Sequence, residues 1–418
     1  MSASPAPVLD RVVTRSVAGA TEDLIGAIPL PTGAVCFVQQ DTGLVGWDEY
    51  AQLTVTGPSA AAEIADWYSR HLAQLAVDDE VGVPGSGPVC FVSLGFSQDD
   101  PSIAVIPRTV LGRVGSTSFV TTIGEQLRPQ APAPVRPPGQ VRYGDAALSA
   151  AGFTSAVEQA VRRIRAGEAA KVVLAHGLQA VTAQPVDERY LLARLTRRYP
   201  TCTTFSVAGL VGASPEMLIR RHGRQITSRV LAGTAWPERP DPQHAADAAQ
   251  QVAEHLLASG KDLAEHRYAV QSVADTLRTL TEQLEVPAAP GALELANLTH
   301  LATDISGLLS GDAAHAPSAL ELAARLHPTA AVGGTPTDVA LRMIAELEPD
   351  RRGRYAAPVG WVDARGDGEF AIALRCAEIS GQSVRLMAGC GIVAESDPAT
   401  EAQEAQIKML PVRDALEG

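Results

Sequence analysis

The 418-residue chain is short of charge, short of cysteine and lacks any long apolar run. Charged side chains make up 19% of it, below the usual share for soluble domains. The shortage falls on the basic side: 34 Lys and Arg stand against 47 Asp and Glu, a formal net charge of -13. With no basic cluster to offset that balance, the chain repels phosphate backbones, which argues against a nucleic-acid partner. The five cysteines, Cys36, Cys90, Cys202, Cys376 and Cys390, are scattered and form no CxxC pair. Neither a zinc site nor a disulfide framework is suggested, and a reducing cytoplasm is expected. No apolar run is long enough to span a membrane, and "MSASPAPVLDRVVTRSV" at the start has no apolar signal core. A cytoplasmic protein with no membrane partner is therefore expected. "GGTP" is not followed by Gly-Lys-Ser/Thr, so it is not a phosphate loop, and no internal repeat is visible.

What is present is a length of 418 residues, enough for two or three ordinary domains or one large α/β unit, and a 46% hydrophobic fraction, ample for a real core. Residues 1 to about 126 carry short β-like runs, "AVCFVQQ", "PVCFVSLGF", "SIAVIPRTVLG" and "STSFVTTIG", around one amphipathic helix near Ala60–Ala76. A proline-rich connector follows, Leu127–Gly144. Beyond it the pattern predicts a helix from about Asp145 to Ala166 and strands at Lys171, Thr203–Val211, Glu216–Arg221 and Gln225–Val230. A long helical region spans about His244–Leu284, and a shorter helix lies near Ser318–Leu326. Thr335 is placed to cap a further helix, with Pro336 at its first position and Asp338 three residues after the cap. Two strands, "FAIALRCAEIS" and "SVRLMAGCGIV", precede a final helix.

Several residues can carry chemistry, and each also has a plain structural reading. Lys171 opens the apolar run "KVVLAH" and is either a solvated strand end or a catalytic amine. Asp262 and Glu265 share one face of a helix at i and i+3, as do Glu401, Glu404 and Lys408 at i, i+3 and i+7. Taken singly these are solvated carboxylates or a helical ion pair. Together, two such helices can hold Mg²⁺ through oxygen ligands. Glu216 follows Ser214-Pro215 and is either an edge-strand charge or a carboxyl kept protonated in a dry cleft. Gly233-Thr234 reads as a tight turn whose N–H groups can meet an anion. Arg375, with small same-face neighbours Ala371 and Ala373, needs a carboxylate from the protein or from a ligand. Gly389 and Gly391 are either a turn pair or a close approach to that ligand. His300 and His327 are not spaced for a metal, and both default to structural roles.

In order along the chain, "SPEMLI", "LAGTA", "KDLAEH", "LTHLAT", "HPTAAVGGTP", "PVGW", "ALRCAEI" and "AGCGIV" followed by Glu401, Glu404 and Lys408 resemble the chorismate-utilising enzymes. That family comprises isochorismate, salicylate, anthranilate and aminodeoxychorismate synthases. The resemblance runs from roughly Phe153 to Leu416. It implies an α/β fold of the α+β type: one large unit in which two antiparallel sheets pack as a sandwich, with flanking helices and a central cleft. Residues 1–144 would be the variable half, ending in a crossing loop, and 145–418 the chorismate-binding catalytic region.

Within that family a lysine at the Lys171 position goes with water as the nucleophile. The resemblance therefore implies an isochorismate synthase, serving menaquinone or siderophore biosynthesis. Salicylate synthase, which adds pyruvate elimination, is the alternative, and an aminating enzyme is less favoured. Lys171 is implied as the base, made neutral by desolvation or nearby cationic charge, and Glu216 as the acid, with a raised pKa. Glu265 and Glu404 are implied as Mg²⁺ ligands, with Asp262 and Glu401 in the outer shell. Tyr355, Arg375 and Lys408 would hold the substrate's carboxylates. Gly233, Thr234, Gly389 and Gly391 would lend backbone contacts, and His300 would line the cleft. No obligatory protein partner is implied.

Overall fold

Runs that are apolar on one or both faces become strands, and the amphipathic segments become helices that cover them. The structure, a computed structural model, describes residues 9–17, 23–124, 132–236 and 245–418. In chain order its strands are β1 (Asp10–Ser16), β2 (Val35–Gln39), β3 (Thr42–Val55), β4 (Leu75–Asp79), β5 (Val89–Ser93), β6 (Ser102–Val114), β7 (Thr117–Ile123), β8 (Val141–Asp145), β9 (Lys171–Thr182), β10 (Thr203–Val207), β11 (Leu210–Ser214), β12 (Met217–His222), β13 (Gln225–Ala235), β14 (Thr281–Glu285), β15 (Gly291–Glu294), β16 (Thr299–Leu309), β17 (Gly334–Thr335), β18 (Pro358–Asp363), β19 (Gly368–Ile372), β20 (Cys376–Ser380) and β21 (Ser383–Ile392). The helices are α1 (Ala60–Leu72), α2 (Ala150–Arg165), α3 (Glu188–Arg198), α4 (Ala245–Ala258), α5 (Gly260–Arg278), α6 (Ala319–Leu326), α7 (Thr337–Leu347) and α8 (Pro398–Glu417).

The strands form one hydrogen-bonded network, antiparallel except where β1 pairs with β4. Two arms leave the long β3/β6 pair. One runs β3–β2–β10–β11–β20–β21–β9. The other runs β6–β5–β18–β19–β12–β13–β16. The expected sandwich is thus two faces of a continuous antiparallel network. It is continuous because β3 and β6, at 14 and 13 residues, are long enough to border both arms. Pairings β2–β10 and β5–β18 weave the first third of the chain into the remainder. None of the described helices is long and apolar enough to cross a membrane.

Several boundaries differ from the sequence pattern for local reasons. Helix α1 stops at Leu72 because Leu75–Asp79 pairs with β1. The Asp145–Ala166 helix starts only at Ala150, after β8 pairs with β9, and Ser149 caps it by accepting the Gly152 N–H. Thr203–Val211 is two strands, turned by Ala208 and Gly209 at positive φ. The long helical region is two helices. Ser259 breaks it and caps α5 by accepting the Asp262 N–H, and its end becomes β14. His244, the start of that region, and Leu127–Ala131 of the proline-rich connector lie outside the described residues. Thr335 is not a cap: it pairs with Lys171 in β17, and Pro336 precedes α7 without a side-chain cap. Helix α6 does have a full capping box, Ser318 with Glu321.

Candidate active site

Both arms and helices α5 and α8 converge on one cavity, lined by Glu216, Glu265 and all eight expected substrate contacts: Gly233, Thr234, His300, Tyr355, Arg375, Gly389, Gly391 and Lys408. A wider groove lined in part by Pro58, Phe96 and Leu341 holds none of the expected residues, so the chemistry of the lining, and not its size, selects the site. Lys171, Asp262, Glu401 and Glu404 are not among the residues that line it.

Gly233 is not in a turn. It makes a bulge in β13 opposite β16, at φ +77°, and that kink brings it against Asp262. Gly389 and Gly391 likewise lie within β21, paired with Ala175 and Val173 of β9. At Gly391 a Cβ would overlap Glu265 Oε1 and stand 2.8 Å from Lys171 Cε. The absence of a side chain there is what lets the acid and the amine meet.

Arg375 corrects a second expectation. The chain leaves regular strand after Ile372 and re-enters at Cys376, with Arg375 at φ +49°, so Ala371 and Ala373 do not flank it along one strand face. The break turns the guanidinium into the cavity, where it is 6% exposed. Its Nη2 donates to His300 Nε2 at 2.8 Å, while Nη1 has no partner among the described residues. Nor does any carboxylate there form a salt bridge with it. His300 is held as a neutral imidazole by burial and by the cations Arg375 and Lys408. Its Nδ1 meets Thr234 Oγ1 at 3.1 Å and the Gly233 carbonyl at 3.4 Å, so Nε2 is free to accept from Arg375. His327, by contrast, is structural, bonded to the Phe96 carbonyl at 3.0 Å.

Glu216 sits just before β12, not within it, and its carboxyl is pushed up to about 8 by burial. A backbone hydrogen bond from Leu231 and the charges of Lys171 and Lys408 only partly offset that. It is neutral at pH 7, the form that can donate a proton.

Lys171 is fully buried, with Nζ 3.1 Å from Glu265 Oε1. The desolvation that the resemblance implied is present, but its ion-pair partner is a carboxylate and not a cation. The contact is an ion pair without hydrogen-bond alignment, and Nζ has no hydrogen-bond acceptor among the described residues. On α8, Lys408 Nζ bonds Glu404 at 2.5 Å and the Gly389 carbonyl at 3.1 Å. Lys261 bonds the buried Glu401 at 2.6 Å.

Asp262, Glu265, Glu401 and Glu404 therefore come from the first two turns of two helices, α5 and α8. Asp262 is raised by burial and then by Glu265 and Glu404; Glu401 is raised by burial and then by Glu404. An all-oxygen set under mutual repulsion suits a hard divalent cation. Lysines hold three of the four, and among the described residues no three His, Cys, Asp or Glu side chains converge on one metal position.

Sequence reasoning missed three contributors. Lys261, inside the very "GKDLAEH" motif, neutralises Glu401. His266, held neutral at about 4 by burial, spans from α5 to the Ala232 carbonyl and Thr303 Oγ1 at 3.0 and 2.8 Å, fixing Glu265 beside the bulge. The third is the pair Glu348 and Arg352, whose i,i+4 spacing was its only sequence signal.

A family model described as "Chorismate binding enzyme" matches residues 116–417. The chain is 40% identical over 275 residues to the isochorismate synthase DhbC of Bacillus subtilis, covering 63% of this chain and 67% of that relative. Among solved structures, the menaquinone-specific isochorismate synthase MenF of Escherichia coli superposes with a TM-score of 0.78 at 26% identity, covering 99% of this chain and 96% of that one. Anthranilate synthase component I of Streptococcus pneumoniae shares the fold at a TM-score of 0.62 and 20% identity, over 99% of this chain and 93% of the other.

Proposed function

The chain belongs to the chorismate-binding enzyme family, and from that premise we propose that it is an isochorismate synthase, an isomerase that adds water at C2 of chorismate and removes the C4 hydroxyl. The observation that carries the reading is that the buried Glu216, its carboxyl raised by burial, faces the same cavity as Arg375, a buried guanidinium that no carboxylate pairs among the described residues.

Chorismate brings two carboxylates, and Arg375 and Lys408 are the cations lining the cavity that would receive them, with Tyr355 and the backbone at Gly233, Thr234, Gly389 and Gly391 alongside. His300 keeps Arg375 aimed without competing for the anion, since it accepts a hydrogen bond and carries no charge. Lys171 can accept a proton only as the neutral amine, so its ion pair with Glu265 must first part and the ammonium proton go to solvent; water then forms a bond to C2 and passes a proton to Nζ. The C4–oxygen bond breaks as Glu216 gives its proton to the departing hydroxyl, which leaves as water. The ring double bonds shift between, and composition is unchanged. Lys171 then holds the proton that Glu216 has lost, so the pair must exchange protons before the next turnover.

Glu265 and Glu404, with Asp262 and Glu401 behind them, would hold Mg²⁺, which supplies positive charge for the substrate's ring carboxylate. In this reading residues 1–144 are scaffold and 145–418 the catalytic region, working in a reducing cytoplasm that suits five buried free thiols.

Incubation with chorismate and Mg²⁺, with chromatography and a pyruvate assay, tests the proposal. Isochorismate without early pyruvate supports it. Salicylate with matching pyruvate moves the protein to the lyase alternative, and no product at all sinks both.

A further inference from the structure

Strand β9 pairs with β21 along one side, but on the other side its partners change. Strand β17 covers Lys171–Val172 and β8 covers Leu178–Thr182, leaving a gap between them. In that gap the Val173 N–H donates to the Gly333 carbonyl at 2.8 Å. The Val173 carbonyl accepts from Arg352 Nη2 at 2.8 Å, and the Ala175 N–H donates to Glu348 Oε1 at 2.9 Å. Two side chains thus replace the missing strand.

Those side chains are themselves fully engaged. Arg352 is bidentate to Glu348, at 2.6 and 2.8 Å, and the two side chains are 2% and 3% exposed. Arg352 Nη1 donates to the Val332 carbonyl at 2.8 Å, and the Phe96 ring covers the guanidinium at 4.2 Å. Val173 and Val332 both line the cavity, whereas Glu348 and Arg352 do not. Lys171 is two residues from Val173 on the same strand. A buried ion pair is a weak source of net stability compared with well-packed apolar residues, so stability alone gives little reason for this one. Its geometry gives a better reason, since it joins the strand that carries the amine to the neighbouring Val332–Gly333 loop, which also lines the cavity.

We propose that Glu348 and Arg352 are positioning residues for the isomerisation, a side-chain clamp that fixes β9 and Val332 and through them the place of Lys171 against the substrate. The inference rests on the isochorismate synthase reading. The clamp acts directly on the strand of Lys171 and makes no hydrogen bond or ion pair with the anchors Arg375 and Lys408, so it bears on turnover more than on binding.

The test uses the full chain and the variants Arg352→Lys and Glu348→Gln, which keep side-chain size close to the original. Because misplacing a reacting group by about 1 Å can cost on the order of a hundredfold in rate, kcat should fall roughly ten- to a hundredfold. KM should stay within about threefold, since uniform binding is untouched. Deuterium exchange at the Ala175 amide should quicken in both variants while α8 and β16 keep their protection. Added guanidinium ion should restore part of the lost kcat in Arg352→Ala. Unchanged kcat in folded variants overturns the inference, and so does a kcat loss that merely follows the fraction of unfolded protein. Failure of the wild type to turn over chorismate would instead sink the isomerase reading. The clamp is then judged by exchange alone, and unchanged protection at Ala175 overturns it.

Discussion

Lys171 and Glu265 form a buried ion pair, Nζ to Oε1 3.1 Å, in which the proposed base and a proposed metal ligand hold one another before any ligand arrives. Removing one partner of a buried pair strands the other's charge, at about 3–5 kcal/mol in a fully dry site. Glu265 is 11% exposed at its side chain and lines the cavity, so the effect here falls at or below the bottom of that range. Lys171→Met should abolish water addition and lower stability. Adding Glu265→Gln should return much of the stability and none of the turnover. Denaturant melts of the two proteins beside the wild type check this, and residual isomerisation in Lys171→Met would remove the amine from its role.

The Glu216 carboxyl gives the site an upper pH limit. Burial raises it to about 8, so the donor form is complete well below that pH and is lost as pH climbs through it. Turnover should fall on a limb centred near 8. Stability shares the sign: a carboxyl raised in the fold favours the native state below its unfolded pKa of about 4.3, and that contribution disappears as pH rises through about 8. Glu216→Gln should be inactive at every pH yet lose less stability than the wild type between pH 7 and 9. A wild-type pH–rate profile flat across 7 to 9 would contradict the assignment.

At Arg375 binding and stability pull in opposite directions. A buried guanidinium whose Nη1 has no partner and which no carboxylate pairs among the described residues costs the free protein desolvation energy that a dianionic ligand would offset. Arg375→Met should therefore raise the melting temperature of the ligand-free protein, and it should weaken chorismate binding by roughly 2–5 kcal/mol, the range for truncating one side of a buried charge pair. Thermal melts with calorimetric titration measure both. A lower ligand-free melting temperature together with intact affinity would show that Arg375 already has its partner.

Magnesium should bind weakly by itself and more tightly with chorismate present. Lysines neutralise Glu265, Glu401 and Glu404, and no three acidic groups converge among the described residues, so the cation has to displace an existing partner. A substrate carboxylate supplies further oxygen ligands and reverses that balance, and the coupling must be reciprocal. Calorimetric Mg²⁺ titrations with and without chorismate should differ in affinity, and chelator should abolish turnover. Equal affinity in both titrations would mean that the metal and the substrate do not share a site.

Much of the site was legible in the sequence because its parts are local. Asp262 with Glu265, and Glu401 with Glu404, are set by helical spacing, and each pair lies in the first turn or two of a helix. What could not be read are features created by partners distant in the chain. The Gly233 bulge exists only against β16, and the break at Arg375 appears only once β19 and β20 take different neighbours. Lys261 to Glu401 spans 140 residues and Arg352 to Val173 spans 179, so no local pattern announces either. The same holds for Thr335, a plausible cap by sequence that is instead used up as the strand partner of Lys171.

Gly391 tests whether close approach, and not flexibility, is what that position requires. It lies in the middle of β21, paired with Val173, and it is not among the glycines at positive φ. A methyl group there strains no backbone; it collides with Glu265 Oε1 and crowds Lys171 Cε. Gly391→Ala should force the pair apart, lowering kcat by about a hundredfold, as misplaced reacting groups do. Overpacking should also remove about 1–3 kcal/mol of stability. Gly144→Ala is the control: it too has ordinary φ, but a Cβ meets nothing within 4 Å, so both rate and stability should stay near wild type. Parallel kinetics and melts of the two variants decide the matter. If Gly391→Ala turned over as fast as Gly144→Ala, Lys171 and Glu265 would have room to spare, and their contact would not be a requirement of the chemistry.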